Sequence, residues 1–176
     1  MEKNDCILPI KRTIISKEEI QEKVCDAAAY IDGIYDGKPI LLVGILNGSF
    51  IFMADIARAV SVPCEIAFMS VKSYVGKNST GEVQIILDIS QELSEYNVVI
   101  VEDIIDTGRT LKKVSEMLKE RKPHSFAVVA LLDKPDRRVV DFSADYTLFR
   151  VPDEFVVGYG LDYNGYYRNL PYVAGL

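Results

Sequence analysis

Val98-Val99-Ile100-Val101-Glu102-Asp103-Ile104-Ile105-Asp106-Thr107-Gly108-Arg109-Thr110 is the stretch on which the fold turns. Val98 to Val101 is an apolar run too short for a helix and reads as a buried strand. A helix from about Leu111 to Arg121 follows, closed by the basic residues Lys119, Arg121 and Lys122, which suit a helix C-terminus. A strand that feeds a short loop and then a helix leaves free N–H groups aimed out at the sheet's carboxyl edge. Asp106 to Thr110 supplies what a phosphate cradle needs there. Gly108 lets the backbone come close, two threonine hydroxyls can donate, and the helix dipole favours an anion.

Glu102 and Asp103 would repel a bare phosphate, so the ligand must also offer hydroxyl donors or bring a divalent cation. A sugar phosphate with a vicinal diol meets both demands. In the plainer reading Asp106 and Thr107 only cap the helix, and the two upstream acids face solvent. Three acids with Thr-Gly-Arg-Thr in one unbroken strand–loop–helix stretch favour the ligand.

Working outward, Ser16-Lys17-Glu18-Glu19 fits a capping box, and Ile20, Val24, Ala27, Ala28 and Ile31 continue at helical spacing. Gly33 and the Asp36-Gly37-Lys38-Pro39 turn are expected to end that helix. Ile40 to Leu46 reads as a buried strand, Asn47-Gly48-Ser49 as a turn, and Phe50 to Val60 as a second helix. Cys64 to Val71 is a strand candidate that leads into a polar, glycine-containing stretch, Lys72 to Glu82, and then Val83 to Leu87. Phe126 to Leu132 is another β-rich run. Strands alternating with helices imply βαβ units and a mainly parallel sheet covered on both faces. Ligands on such sheets bind beyond the carboxyl ends of the strands.

The 176 residues suit one domain, and 49% apolar with 26% charged residues provides an ordinary core. Twenty basic against 26 acidic residues give a net charge of −6, which argues against broad nucleic-acid binding. Cys6, Cys25 and Cys64 are odd in number and form no CxxC pair, so a reducing, cytoplasmic setting is expected. Met1 to Pro9 lacks a secretory apolar segment, and no run approaches the roughly 18 apolar residues of a membrane span. His124 is the single histidine, so histidine-based metal triads are excluded.

Val99 to Thr110 resembles the phosphoribosyl-pyrophosphate motif of the type I phosphoribosyltransferases. Its Glu102-Asp103-Ile104-Ile105-Asp106-Thr107-Gly108 form is similar to that of the hypoxanthine-guanine members. The resemblance runs from about Ile40 to Pro171. It implies an α/β fold: one domain over 1–176, a mainly parallel twisted sheet flanked by helices, and a small hood formed by terminal segments. It also implies Mg²⁺, phosphoribosyl pyrophosphate and a 6-oxopurine as ligands, and a homodimer or homotetramer.

Residue by residue, the resemblance implies that Glu102, Asp103, Asp106, Thr107, Gly108, Arg109 and Thr110 hold the phosphoribosyl part, with Asp106 as the catalytic base. Asn47 and Gly48 resemble the pyrophosphate loop, with a cis peptide between Leu46 and Asn47. Many members carry a basic residue where Asn47 stands; without it here, the loop's contact with pyrophosphate rests on backbone N–H donors. Lys72-Ser73-Tyr74, with Ser79 to Gly81, resembles a mobile lid over about 72–82. A base-binding segment spans about 134–168. There Lys134 would donate to the purine 6-oxo group, Phe155 would stack on the base and Val156 would read its edge. Asp162 would sit beside base and metal, completing a metal set with Glu102 and Asp103, and Arg168 would contact pyrophosphate. The expected activity is transfer of 5-phosphoribosyl to N9 of hypoxanthine or guanine. A xanthine-preferring transferase is the nearer competitor, and a non-catalytic RNA-binding regulator on the same fold is the farther one.

Overall fold

The computed structural model describes residues 8–73 and 83–176. Cys6 and most of the Met1–Pro9 segment lie outside the described residues, as do Tyr74 and nearly all of the expected lid. Ser16 caps the first helix, α1 (Lys17–Tyr35): its hydroxyl accepts from the Glu19 N–H at 3.2 Å, and the Glu19 carboxylate accepts from the Ser16 N–H at 2.7 Å. The helix does not stop at Gly33. It runs on to Tyr35 because that ring is buried, and packing outweighs the weak helical propensity of glycine. Asp36, in the left-handed conformation, ends it.

Strand β1 (Arg12–Ile15) precedes α1, and β2 (Ile40–Leu46), α2 (Phe50–Ala59) and β3 (Cys64–Ser73) follow it. Then come β4 (Val83–Leu87), β5 (Asn97–Ile105), α3 (Arg109–Lys119), β6 (Ser125–Asp133), β7 (Tyr146–Arg150), β8 (Val156–Val157) and β9 (Val173–Gly175). The main sheet has the order β4-β3-β2-β5-β6-β7, parallel except for the antiparallel edge strand β4. A second, three-stranded sheet, β1-β9-β8, joins the two ends of the described chain into the hood. Strands β7, β1 and β9 carried no clear sequence signal, because short strands paired by distant residues have little periodicity of their own.

Alternate residues of β2 feed two cores. Ile40 and Leu42 pack with Ile20, Phe52 and Ile56 under α1 and α2, while Leu41, Val43 and Ile45 pack with Leu111, Val114 and Leu118 under α3. The chain leaves β2 for β3 on one side and returns to β5 on the other. The carboxyl ends of β2 and β5 therefore flank the point where the strand order reverses, the crevice in which open α/β sheets bind ligands.

Strand β5 extends four residues beyond Val101. Glu102 pairs with Ala130, Ile104 with Leu132 and Ile105 with Asp133, so the two acids stand in the strand rather than in a loop. The cause is β6, which continues alongside and offers its ladder to the end of β5. Among the described residues no helix is long and apolar enough to cross a membrane.

Phe52 is fully buried at the centre of the first core. Phe52→Ala is expected to lower stability by about 3–5 kcal/mol, read as a drop in the urea midpoint at unchanged slope.

Candidate active site

Four segments meet at the crevice. The first is the turn after β2. Leu46–Asn47 is a cis peptide, in line with the resemblance. Gly48 follows, and a Cβ there would fall 1.4 Å from Asp103 Oδ2. Only a glycine lets that turn lie against the Asp103 carboxylate. On its other side the Gly48 carbonyl packs on Gly160, whose φ of +101° and contact with that oxygen leave no room for a side chain. Ser49, buried, donates from its hydroxyl to the Ile45 carbonyl at 2.7 Å and steadies the turn.

The second segment is the end of β5. Asp103 Oδ1 accepts from the Ile104 N–H at 2.7 Å, while Glu102 Oε2 is buried and has no hydrogen-bond partner. Burial pushes the Asp103 carboxyl up to about 6 against the opposing pull of its own hydrogen bonds and Arg168. Burial, with the neighbouring Asp103, raises Glu102 well above the usual carboxylate range. Mg²⁺ sites typically use one or two carboxylates and leave the remaining positions to water and phosphate. Two adjacent hard carboxylates, one with an orphaned buried oxygen, fit such an ion. Among the described residues no group of three or more potential ligands is assembled, so Asp162 is not drawn into a shared cluster with Glu102 and Asp103. Its Oδ1 pairs with Arg168 Nη2 at 2.7 Å and its Oδ2 accepts from the Gly165 N–H at 2.8 Å. Arg168 also donates from Nη1 to the Gly160 carbonyl at 2.6 Å.

The third segment is Asp106 to Thr110, at the mouth of α3. Gly108, at φ +80°, is the N-cap position, and the loop borders a cavity of about 200 Å³. Glu102, Asp103, Asp106, Thr107, Gly108 and Thr110 line it, whereas Arg109 is exposed and does not. The loop is clamped from behind. Arg138 Nη1 donates to the Asp106 carbonyl at 2.7 Å, the Val139 N–H donates to the Thr107 carbonyl at 3.1 Å, and Arg138 pairs with Asp133.

The fourth segment carries the residues that the resemblance puts beside the base. A cavity of about 490 Å³ is lined by Asp103, Ile104, Asp106, Lys134, Arg137, Asp153, Phe155, Val156, Leu161 and Asp162, among others. Lys134 is buried and its ammonium donates to the Glu154 carbonyl at 2.7 Å. Phe155 is half exposed and meets Tyr163 edge to face at 5.6 Å, leaving a ring face for a planar ligand. Val156 is buried in β8. The two cavities share Asp103, Ile104 and Asp106, so the crevice suits a ligand with an anionic end and an aromatic end. Sequence reading passed over Arg137, Arg138, Asp153 and Gly160. The one available hint was the charged run after Lys134.

Residues 14–164 match the family model for the phosphoribosyl transferase domain, and the chain belongs to that family. It is similar to a hypoxanthine-guanine phosphoribosyltransferase of Staphylococcus aureus, 47% identical over 168 residues that cover 95% of this chain and 94% of the relative. Among solved structures, a hypoxanthine phosphoribosyltransferase from Staphylococcus aureus superposes with a TM-score of 0.92 at 47% identity, covering 95% of this chain and 91% of that one. A hypoxanthine-guanine phosphoribosyltransferase from Bacillus anthracis also gives 0.92, at 43% identity and 96% and 99% coverage. The fold is that of the type I phosphoribosyltransferases.

A carboxyl whose pKa is higher folded than unfolded makes the folded state the better proton binder between the two values. Stability therefore falls as pH rises through the window from about 4 to about 6, and the loss persists above it. Asp103→Asn is expected to raise stability at pH 7.5 in metal-free buffer by up to about 3 kcal/mol. The gain should vanish near pH 4, as checked by urea melts across pH.

Proposed function

We propose that this protein moves the 5-phosphoribosyl group of phosphoribosyl pyrophosphate to N9 of hypoxanthine or guanine, giving IMP or GMP and pyrophosphate in purine salvage. The observation that carries this reading is the shared wall: Asp103, Ile104 and Asp106 border both the anion cavity and the base cavity.

In this reading the backbone N–H groups and hydroxyls of Asp106 to Thr110 hold the 5-phosphate at the positive end of α3. Glu102 and Asp103 accept from the ribose diol and are the residues that would hold Mg²⁺. When bound, that ion offsets the charge of the departing pyrophosphate. Asn47 and Gly48 present backbone donors to pyrophosphate, with Arg168, held by Asp162, as the cationic contact. Phe155 stacks on the purine, the Val156 backbone meets its edge, and Lys134 donates to the 6-oxo group, which a 6-amino base could not accept. The C1–oxygen bond to pyrophosphate breaks as N9 bonds to C1, with positive charge building on the ribose. Asp106 takes the proton at N7 and makes N9 the better nucleophile.

The free thiols Cys25 and Cys64 support a reducing, cytoplasmic setting. Ile66 on β3, with Ile86 and Leu87 on the edge strand β4, is exposed apolar surface that supports a homodimer or homotetramer.

Incubation with phosphoribosyl pyrophosphate, Mg²⁺ and each purine separately should yield IMP and GMP and no AMP. Formation of XMP alone would reassign the substrate, and salt-sensitive RNA retention without any nucleotide product would favour the regulator. Asp106→Asn should lower kcat by about 10²–10⁴-fold with donor affinity changed less than about threefold, measured by steady-state kinetics and titration calorimetry; unchanged turnover would remove Asp106 from the reaction.

A further inference from the structure

Three loops over the base cavity are tied together by one side chain. Arg137 ends the single 3-10 turn after β6, Asp106 stands between β5 and α3, and Asp153 lies between β7 and β8. Arg137 Nε donates to Asp106 Oδ1 at 2.5 Å, and its Nη1 donates to Asp153 Oδ1 at 3.2 Å. All three residues line the cavity.

The arrangement adds little to stability. The side chains of Asp106, Arg137 and Asp153 are 45%, 43% and 53% exposed, and ion pairs in that much water contribute little. Its effect is geometric. Arg137 occupies one oxygen of Asp106 and leaves Oδ2 without a protein partner among the described residues, on a side chain that borders the cavity. A carboxylate held by one oxygen and free at the other has a fixed direction, as when a third group orients a catalytic base. Arg138 next door works differently, since it holds the Asp106 main chain through the carbonyl and is itself locked to Asp133. One arginine fixes the loop and the other fixes the side chain. The task suits a guanidinium, whose rigid fork addresses two acceptors at once, where an ammonium is a point charge on a flexible stem.

We propose that Arg137, anchored by Asp153, is a positioning residue that aims the Asp106 carboxylate at the purine; this rests on the role given above to Asp106. The test is a pair of double-mutant cycles in steady-state kinetics. Arg137→Gln should lower kcat about tenfold and leave KM for phosphoribosyl pyrophosphate within about twofold, at an unchanged melting temperature. Arg137→Lys should recover only part of the loss. Asp153→Asn should lower kcat severalfold, and Arg137→Gln/Asp153→Asn should be no worse than Arg137→Gln alone. In an Asp106→Asn background, followed by nucleotide accumulation over hours, Arg137→Gln should cost nothing further.

A wild-type kcat in Arg137→Gln, an equal cost in both backgrounds, or multiplying losses with Asp153→Asn would overturn the proposal. The two possible failures look different. A wild-type chain that forms no nucleotide from any base overturns the transferase reading and this one with it, whereas an active wild type with additive cycles overturns the role of Arg137 alone.

Discussion

Two neighbouring carboxylates that resist ionisation sit at the point where the strand order of the sheet reverses. Glu102 and Asp103 end up there because β6 keeps β5 in register past its apolar run and carries both acids into the crevice. The backbone gives Asp103 one hydrogen bond, from the Ile104 N–H, while one buried oxygen of Glu102 has no hydrogen-bond partner. Unpaired buried charge is among the least favourable arrangements a protein can hold. A cation or hydrogen-bond donors placed beside the two carboxylates would relieve it.

The surrounding structure accommodates that pair. Gly48 has no side chain because the Asp103 carboxylate lies where one would be, and Gly160 has none because the Gly48 carbonyl lies against it. Arg168 approaches from the hood, held by Asp162 and bonded to the Gly160 carbonyl, and its charge draws the Asp103 carboxyl back down against the effect of burial. Turn, strand and hood thus form one packed unit, and a change in any of them is felt at the acids. The hood brings Phe155 and Val156 to the sheet's carboxyl edge through a three-stranded ladder built from both ends of the described chain. The cavity at the mouth of α3 and the cavity beside Phe155 belong to different parts of the fold, and Asp106 lines both.

Local patterns were written plainly enough to be read directly. Ser16 and Glu19 cap α1 as the capping-box spacing requires, and Ile40 to Leu46 forms the buried strand its apolar run implies. The Asp106-to-Thr110 loop opens α3 with Gly108 in the left-handed conformation that its place requires. Each is decided within a few residues, by hydrogen-bond geometry or by burial on both faces. Gly33 misleads for a complementary reason, because its helix continues on the strength of the distant contacts of Tyr35.

The chain's sequence by itself determined the alternation of strands and helices, the anion loop and the acids before it, since these depend on periodicity and on neighbours along the chain. Only the tertiary structure decided that Glu102 and Asp103 lie inside a strand, and that Asp162 is paired with Arg168. It alone set Arg137 between Asp106 and Asp153. Those outcomes depend on residues 28, 6, 31 and 16 positions apart being brought together by the fold, and no local pattern encodes such meetings.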